Sequence, residues 1–126
     1  MTSINSELII DPRVFRDNIS FLKSKLNDSS KFMAVIKSDA YGHHLKKIVK
    51  DIEDISDGFG VVRIDEALKI RELSNKKILL MQGVYSKKDL DISIENKFAL
   101  APIPRQKAKV IGISDGTYST LIFGML

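Results

Sequence analysis

A lysine at the end of an apolar segment is the residue of this sequence best suited to do chemistry. The stretch AVIKSDAYGHH, residues 34–44, runs from three apolar residues directly into Lys37, and Tyr41 follows four residues later. A lysine amine that is partly withdrawn from water has a lowered pKa and becomes a nucleophile. Position alone favours a plainer interpretation for both residues, a lysine with its ammonium in water and a half-buried packing tyrosine.

Two adjacent histidines follow that tyrosine, but their spacing does not suit a metal ion. His43 and His44 are neighbours in the sequence, whereas two ligands on one face of a helix are four residues apart. The chain has no cysteine, which excludes a thiolate metal site and a disulfide framework. The sequence therefore predicts no metal site.

The apolar pattern places Lys37 at the end of a buried strand. Continuous apolar runs alternate along the chain with segments of helical periodicity, which is typical of a parallel sheet covered by helices. The predicted strands are 32–36, 59–62, 78–81 and 98–101. Ligands of such α/β folds bind beyond the carboxyl ends of the strands. We therefore expect four to five parallel strands, with Lys37 and Gln82 at the same edge.

Two helices are expected around the first strand. Asp11 and Pro12 form a good helix start, because Asp can cap free N–H groups and Pro at the first position loses no needed bond. Apolar residues then recur with helical spacing in two stripes, and both stripes are predicted to be buried. The first stripe is Phe15, Ile19, Leu22 and Leu26, and the second is Leu45, Ile48, Val49, Ile52 and Ile55.

Composition limits the class of protein. The net charge is +4, but the lysine pairs are not interleaved with aromatic residues, so they predict solvated surfaces and not a nucleic-acid site. No apolar run approaches the roughly 18 residues of a membrane span, and the N-terminus lacks the features of a signal peptide. With no cysteine, the sequence predicts a soluble cytoplasmic protein.

The last segment, 104–126, is harder to interpret. Asp115 and Gly116 predict a turn that joins two short strands. The chain ends on the apolar letters LIFGML, which predicts an interrupted, truncated chain. Tyr118 is assigned no role.

The stretch around Lys37 resembles the cofactor-lysine motif of the alanine racemases, A-V-[VI]-K-A-N-A-Y-G-H-G. The residues in register are Ala34, Val35, Ile36, Lys37, Ala40, Tyr41, Gly42 and His43. DPRVFRDNISFLKS resembles the opening helix of that family, and DGFGVVRIDEALKIRELSNKKILLMQG resembles its next strand, helix and strand, so the resemblance covers 7–103. Asp39 and His44 depart from the family pattern. Asp39 is expected to be unfavourable near a phosphate unless it pairs with a lysine or Arg63.

The resemblance implies a fold and a domain organisation. The expected fold is an α/β protein of alternating βα units that form the N-terminal arc of a partial (β/α)₈ TIM-type barrel. We expect residues 1–126 to be one domain, with the C-terminal β-domain of the family absent. A complete barrel takes about 250 residues.

The resemblance also implies an activity. Lys37 would be the catalytic acid/base and would bind pyridoxal 5'-phosphate as an aldimine, and Tyr41 would contact the cofactor near its phosphate. The expected reaction interconverts L- and D-alanine and supplies D-alanine for peptidoglycan. The chain is expected to need a homo-oligomer or its missing half, and to show little or no racemase activity alone. The alternative is a non-catalytic half-barrel remnant that binds the cofactor weakly or binds a protein partner.

Overall fold

The structure is a computed structural model of the chain, and it describes residues 6–101. The described strands are β1 (Met33–Val35), β2 (Gly58–Val61), β3 (Lys77–Leu80) and β4 (Ala99–Leu100). The described helical segments are α1 (Pro12–Ser24), α2 (Lys37–Tyr41), α3 (Leu45–Ile52), α4 (Ile64–Arg71) and α5 (Lys87–Glu95). Strands and helices alternate from β1 onward, which confirms the predicted α/β class.

The four strands form one sheet in sequential order, β1-β2-β3-β4. All three neighbouring pairs are parallel, and Val35, Gly60, Leu79 and Ala99 share one row across the sheet. β1 and β4 are shorter than predicted, whereas β2 and β3 have the predicted length and begin one residue earlier. The ladder continues past β1, where the Ile36 N–H donates to the Gly60 carbonyl at 2.9 Å. The predicted parallel pairing is confirmed.

One face of the sheet packs against the helices. Phe59, Ile78 and Leu80 on this face are almost completely buried. The predicted stripe on α3 is confirmed for its first four residues, which are all at most 2% exposed, whereas Ile55 lies after the end of α3 and is partly buried. Burial of this kind contributes about 1.5–3 kcal/mol for each large aliphatic side chain, so this face holds the core.

The opposite, inner face carries small residues in its second strand. A Cβ built on Gly60 would lie 3.2 Å from Met81 Sδ and 3.5 Å from Met33 Sδ, so these side chains share the inner face with the glycine. Met33 and Val35 on this face are 39% and 40% exposed. The inner face is therefore apolar and partly open to solvent in the described part of the chain.

Helix α1 begins as predicted but is buried less than predicted. Asp11 caps it by accepting the Arg13 N–H at 2.9 Å. Only Ile19 of its stripe is fully buried, and the prediction that Leu22 and Leu26 are buried is wrong, because they are 53% and 41% exposed.

The difference follows from the lengths of the two helices that pack together. Helix α1 has 13 residues and contacts α3, which has eight. Its last turn therefore extends past the end of α3. There Lys23 Nζ donates to the Ile55 carbonyl at 2.7 Å, so a polar contact holds this turn where an apolar one was predicted.

No helix within residues 6–101 is both long enough and apolar enough to cross a membrane. The turn predicted at Asp115 and Gly116, and Tyr118, lie outside the described residues.

Candidate active site

Lys37 lies directly after the segment that continues β1, at the carboxyl-terminal edge of the sheet. Its side chain is half-buried. Gln82 follows β3 at the same edge, as predicted, and its Oε1 accepts a hydrogen bond from the Tyr85 hydroxyl at 2.7 Å. Because all the strands are parallel, residues after different strands meet at this edge, where α/β folds bind their ligands.

The backbone after Lys37 forms a left-handed turn. Ser38, Asp39, Ala40 and Tyr41 have φ angles between 54° and 55°. The left-handed conformation costs L-residues roughly 1–2 kcal/mol each, and Asp tolerates it better than Ala or Tyr. Four such residues in succession are maintained only if the surroundings hold them in place.

The turn is closed by hydrogen bonds to its own carbonyls. The Gly42 N–H donates to the Ser38 carbonyl, and the His43 N–H donates to the Ala40 carbonyl, both at 3.1 Å. His43 Nδ1 lies 3.0 Å from the same Ala40 oxygen, so this nitrogen must carry the proton to form a bond. His43 therefore contacts the turn that precedes it.

A buried carboxylate from α4 also contacts the turn. Glu66 is 6% exposed, and its Oε1 accepts the Asp39 N–H at 3.1 Å. Its second oxygen, Oε2, is buried and has no hydrogen-bond partner among the described residues. Glu66 was not predicted as a site residue, because an acidic residue in the first turn of a helix is ordinarily explained by the helix dipole.

The side chain of Asp39 caps the next helix. Its Oδ1 accepts the N–H of Leu45, the first residue of α3, at 2.8 Å, and its Oδ2 lies 3.8 Å from His44 Nδ1. Among residues 6–101, neither a lysine nor Arg63 forms an ion pair with Asp39. Arg63 instead donates to Asp65 at 2.9 Å, and this bond raises the pKa of Arg63 and lowers that of Asp65.

The second departure from the family motif also has a structural consequence. His44 stands where the motif has glycine, and its φ is 66°. Glycine adopts positive φ without a steric penalty, whereas histidine does so with strain. The glycine of the motif thus suits the backbone at this position better than His44 does.

Tyr41 ends the left-handed turn and is 59% exposed. The structure thus places both predicted site residues, Lys37 and Tyr41, on one short segment at the carboxyl-terminal edge.

A cavity of about 230 Å³ lies at the same edge, between the segments after β2 and β3, and its lining includes Arg63 and Tyr85. Within residues 6–101 there is no cluster of three acidic or histidine side chains that could hold a metal ion.

The chain is similar to known proteins over most of its length. The model of the family "Alanine racemase, N-terminal domain" matches residues 10–102. Alanine racemase from Mannheimia succiniciproducens is 43% identical over 83 residues, covering 64% of this chain and 23% of the relative. Alanine racemase from Streptococcus gordonii is 39% identical over 101 residues, covering 79% of this chain and 27% of the relative.

A solved structure supports the same assignment. The alanine racemase from Acinetobacter baumannii superimposes with a TM-score of 0.75 at 29% identity, covering 89% of this chain and 33% of that one. This similarity confirms the partial α/β barrel. The chain spans about a quarter to a third of the length of these relatives. By its sequence and its fold, this chain belongs to the alanine racemase family and corresponds to its N-terminal domain.

Proposed function

We propose that this chain contributes the cofactor-binding lysine of an enzyme that interconverts L- and D-alanine. The observation that carries the proposal is the position of Lys37, a half-buried amine at the carboxyl-terminal edge of a parallel sheet. A primary amine at such an edge can react with an aldehyde or take up a proton.

The residues of the site fit pyridoxal phosphate. The cofactor has an aldehyde, for which the Lys37 amine is the matching group. On the inner face, Gly60 of β2 contributes no side chain next to the strand that leads to Lys37, and the Met81 and Met33 sulfur atoms lie 3.2 Å and 3.5 Å from the position that a Cβ there would take.

We assign separate roles to the two predicted site residues. Lys37 Nζ holds the cofactor and takes or returns the proton on one face of the substrate Cα. Tyr41, four residues later on the same turn, contacts the cofactor near its phosphate through its hydroxyl. When bound, pyridoxal phosphate supplies the electron sink that stabilises negative charge at Cα.

The proposal is tested by identifying the residue to which the cofactor attaches. The purified chain would be incubated with pyridoxal phosphate, reduced with borohydride and mapped by peptide mass spectrometry. We expect the pyridoxyl group on Lys37, and we expect its loss in Lys37→Arg but not in Lys50→Arg, a control at an exposed lysine of α3. A label spread evenly over surface lysines would contradict the proposal.

We further propose that the chain alone racemises alanine slowly or not at all. It spans about a quarter to a third of the length of its relatives, and Lys37 is the single acid/base that we assign to it. Loss of one such group typically costs a factor of about 10²–10⁴ in rate. Production of D-alanine for peptidoglycan is accordingly proposed for a complete protein or assembly. An ordinary enzymatic rate from the purified monomer would overturn this expectation.

A second candidate is a half-barrel that binds a protein partner without catalysis. The exposure of Met33 and Val35 on the inner face favours it, because apolar sheet faces are usually covered. Borohydride labelling separates the two candidates, since specific attachment at Lys37 is expected only of the first. The oligomeric state, measured by light scattering, tests whether a second copy covers this face.

A further inference from the structure

Glu66 is unusual among the buried polar side chains of the described residues. These side chains are Ser56, Glu66, Ser74 and Ser93, and Glu66 alone is ionisable. The three serine hydroxyls each donate a hydrogen bond, to the Gly58 carbonyl, Glu53 Oε1 and the Asp89 carbonyl respectively. Glu66 leaves Oε2 without a partner among the described residues.

A half-satisfied buried carboxylate is expensive to maintain. Leaving one buried polar group unpaired costs about 1–3 kcal/mol, and more for a charged group. An apolar side chain of similar size would avoid this cost. Glu66 is therefore poorly explained as a residue that stabilises the core.

The one described side-chain hydrogen bond of Glu66 points to a different role. Its Oε1 accepts the N–H of Asp39, the second residue of the left-handed turn and the second residue after Lys37. The Asp39 carboxylate in turn accepts the N–H of Leu45 at the start of α3. The Glu66 carboxylate on α4 thus binds the backbone of the left-handed turn, and the Asp39 side chain of that turn binds the first residue of α3.

We propose that Glu66 is a positioning residue: by binding the Asp39 N–H, it fixes the left-handed turn and with it the orientation of the Lys37 amine. This proposal rests on the proposed function of Lys37. A misplacement of about 1 Å at a reacting group can cost a factor of about 10² in rate. The turn begins at the residue that follows Lys37, so a change in its conformation alters the backbone next to the lysine and with it the position of the amine.

The test uses variants that separate this contact from general stability. Glu66→Ala removes the acceptor. Glu66→Gln keeps an acceptor oxygen on a side chain of the same length, and Glu66→Asp keeps the charge on a side chain that is shorter by one methylene. Ser74→Ala is the matched control, because it removes a buried hydrogen bond after the other end of α4, far along the helix from Asp39.

Two readouts are measured on the 126-residue chain. The first is hydrogen exchange of the Asp39 amide without cofactor. The second is the rate of borohydride-trapped pyridoxal phosphate labelling at Lys37, relative to Lys50. We expect Glu66→Ala to speed the exchange and to lower the labelling ratio at least about tenfold, Glu66→Gln to restore most of the ratio, and Ser74→Ala to leave it unchanged.

The outcomes distinguish this proposal from the one on which it rests. If the wild-type chain shows no preference for Lys37, the proposed function is overturned, and the positioning role with it. If the wild-type chain labels Lys37 and a folded Glu66→Ala labels it equally fast, only the positioning role is overturned. If Glu66→Ala does not fold, the labelling rates of the other two variants test the positioning role. Faster labelling of Lys37 in Glu66→Asp than in Glu66→Gln contradicts the proposal.

Discussion

The two ends of the sheet are built differently. At the carboxyl-terminal end, the turn after Lys37 has four consecutive non-glycine residues with positive φ. The buried Glu66 carboxylate binds this turn, and its second oxygen has no hydrogen-bond partner within residues 6–101. At the amino-terminal end, a single described residue, Lys97, has a positive φ, 58°, and hydrogen bonds join the segments that precede β1 and β2. There the Phe32 N–H donates to Asp57 Oδ2 at 2.7 Å, and the Asp57 N–H donates to the Phe32 carbonyl at 2.9 Å.

Arg71 shows the same contrast at the amino-terminal end. Its guanidinium donates to three backbone carbonyls, those of Ser74, Lys76 and Asn96, at 2.9–3.1 Å. In barrels of this type, the carboxyl-terminal face carries function and the opposite face carries stability. The comparison indicates that strain is tolerated at the reactive edge because satisfied contacts elsewhere stabilise the fold.

The largest effect is expected from Arg71→Ala, which tests the stabilising role of the amino-terminal end. The variant leaves three carbonyls without their donor and removes the cation–π contact to Phe98, where the guanidinium carbon lies 5.6 Å from the ring centre. We expect a loss of about 2–4 kcal/mol in the free energy of unfolding, measured by urea denaturation. Lys69→Ala, at an exposed position of the same helix, should change it by less than about 0.5 kcal/mol. Equal effects would remove the basis of the comparison.

A smaller effect is expected from adding one methyl group in β2. A Cβ on Gly58 would lie 2.9 Å from the Lys77 backbone oxygen, which cannot move without disturbing β3. Gly58→Ala should therefore destabilise the chain by about 1–3 kcal/mol. At Gly60, the tightest contact of an added Cβ is the flexible Met81 side chain, at 3.2 Å, and the Met33 and Val35 side chains lie at an ordinary 3.5 Å. Gly60→Ala should therefore cost less than about 1 kcal/mol. Thermal unfolding of the two variants measures the difference, and a reversed order would contradict it.

At the carboxyl-terminal end, Asp39→Ala should cost about 1 kcal/mol of unfolding free energy. The variant removes the side chain that accepts the Leu45 N–H and so caps α3. Asp39→Asn, the residue of the family motif, keeps an acceptor and should recover more than half of the loss. Chemical denaturation of the three proteins checks this order. If Asp39→Ala leaves the free energy of unfolding unchanged, the turn is stable without the Asp39 cap.

The smallest effect is expected from Asp57, through the pH dependence of the stability that its carboxylate contributes. The bond from the Phe32 N–H, and then the nearby Lys23 and Lys31, lower the pKa of Asp57 below its ordinary value of 3.8. Its contribution to stability is thus complete above about pH 4 and is lost as the pH falls through the lower pKa of the folded state. Asp57→Asn should be less stable than wild type at pH 6, and this difference should shrink toward pH 2. A stability difference that stays constant between pH 6 and pH 2 would contradict this role of the Asp57 carboxylate. Asp28→Asn, at an exposed position, is the control.

The sequence predicted the regular parts of this fold well, for a physical reason. The stripe on α3 and the apolar runs of the strands are patterns that a sheet covered by helices imposes directly, and Lys37 was predicted at the end of its strand. The left-handed turn was not predicted, because Ala40 and Tyr41 carry no signal for positive φ. Glu66 was missed because its role depends on a contact with a residue 27 positions away.

The exposure of Leu22 and Leu26 was mispredicted for a related reason. Helical periodicity identifies the face of α1 that is apolar, but not how far the neighbouring helix extends beneath it. That length is a property of α3, which ends before the last turn of α1.

The sequential order of the strands bears on how the chain folds. Each strand pairs with the next one along the chain, so every pairing closes a loop of about twenty residues or slightly more. The entropy of loop closure grows only with the logarithm of loop length, so no pairing is much slower to form than another. The sheet can therefore grow one strand at a time from the N-terminus while the chain is being synthesised. The turn that carries Lys37 can then be locked only after α4 has emerged from the ribosome with Glu66.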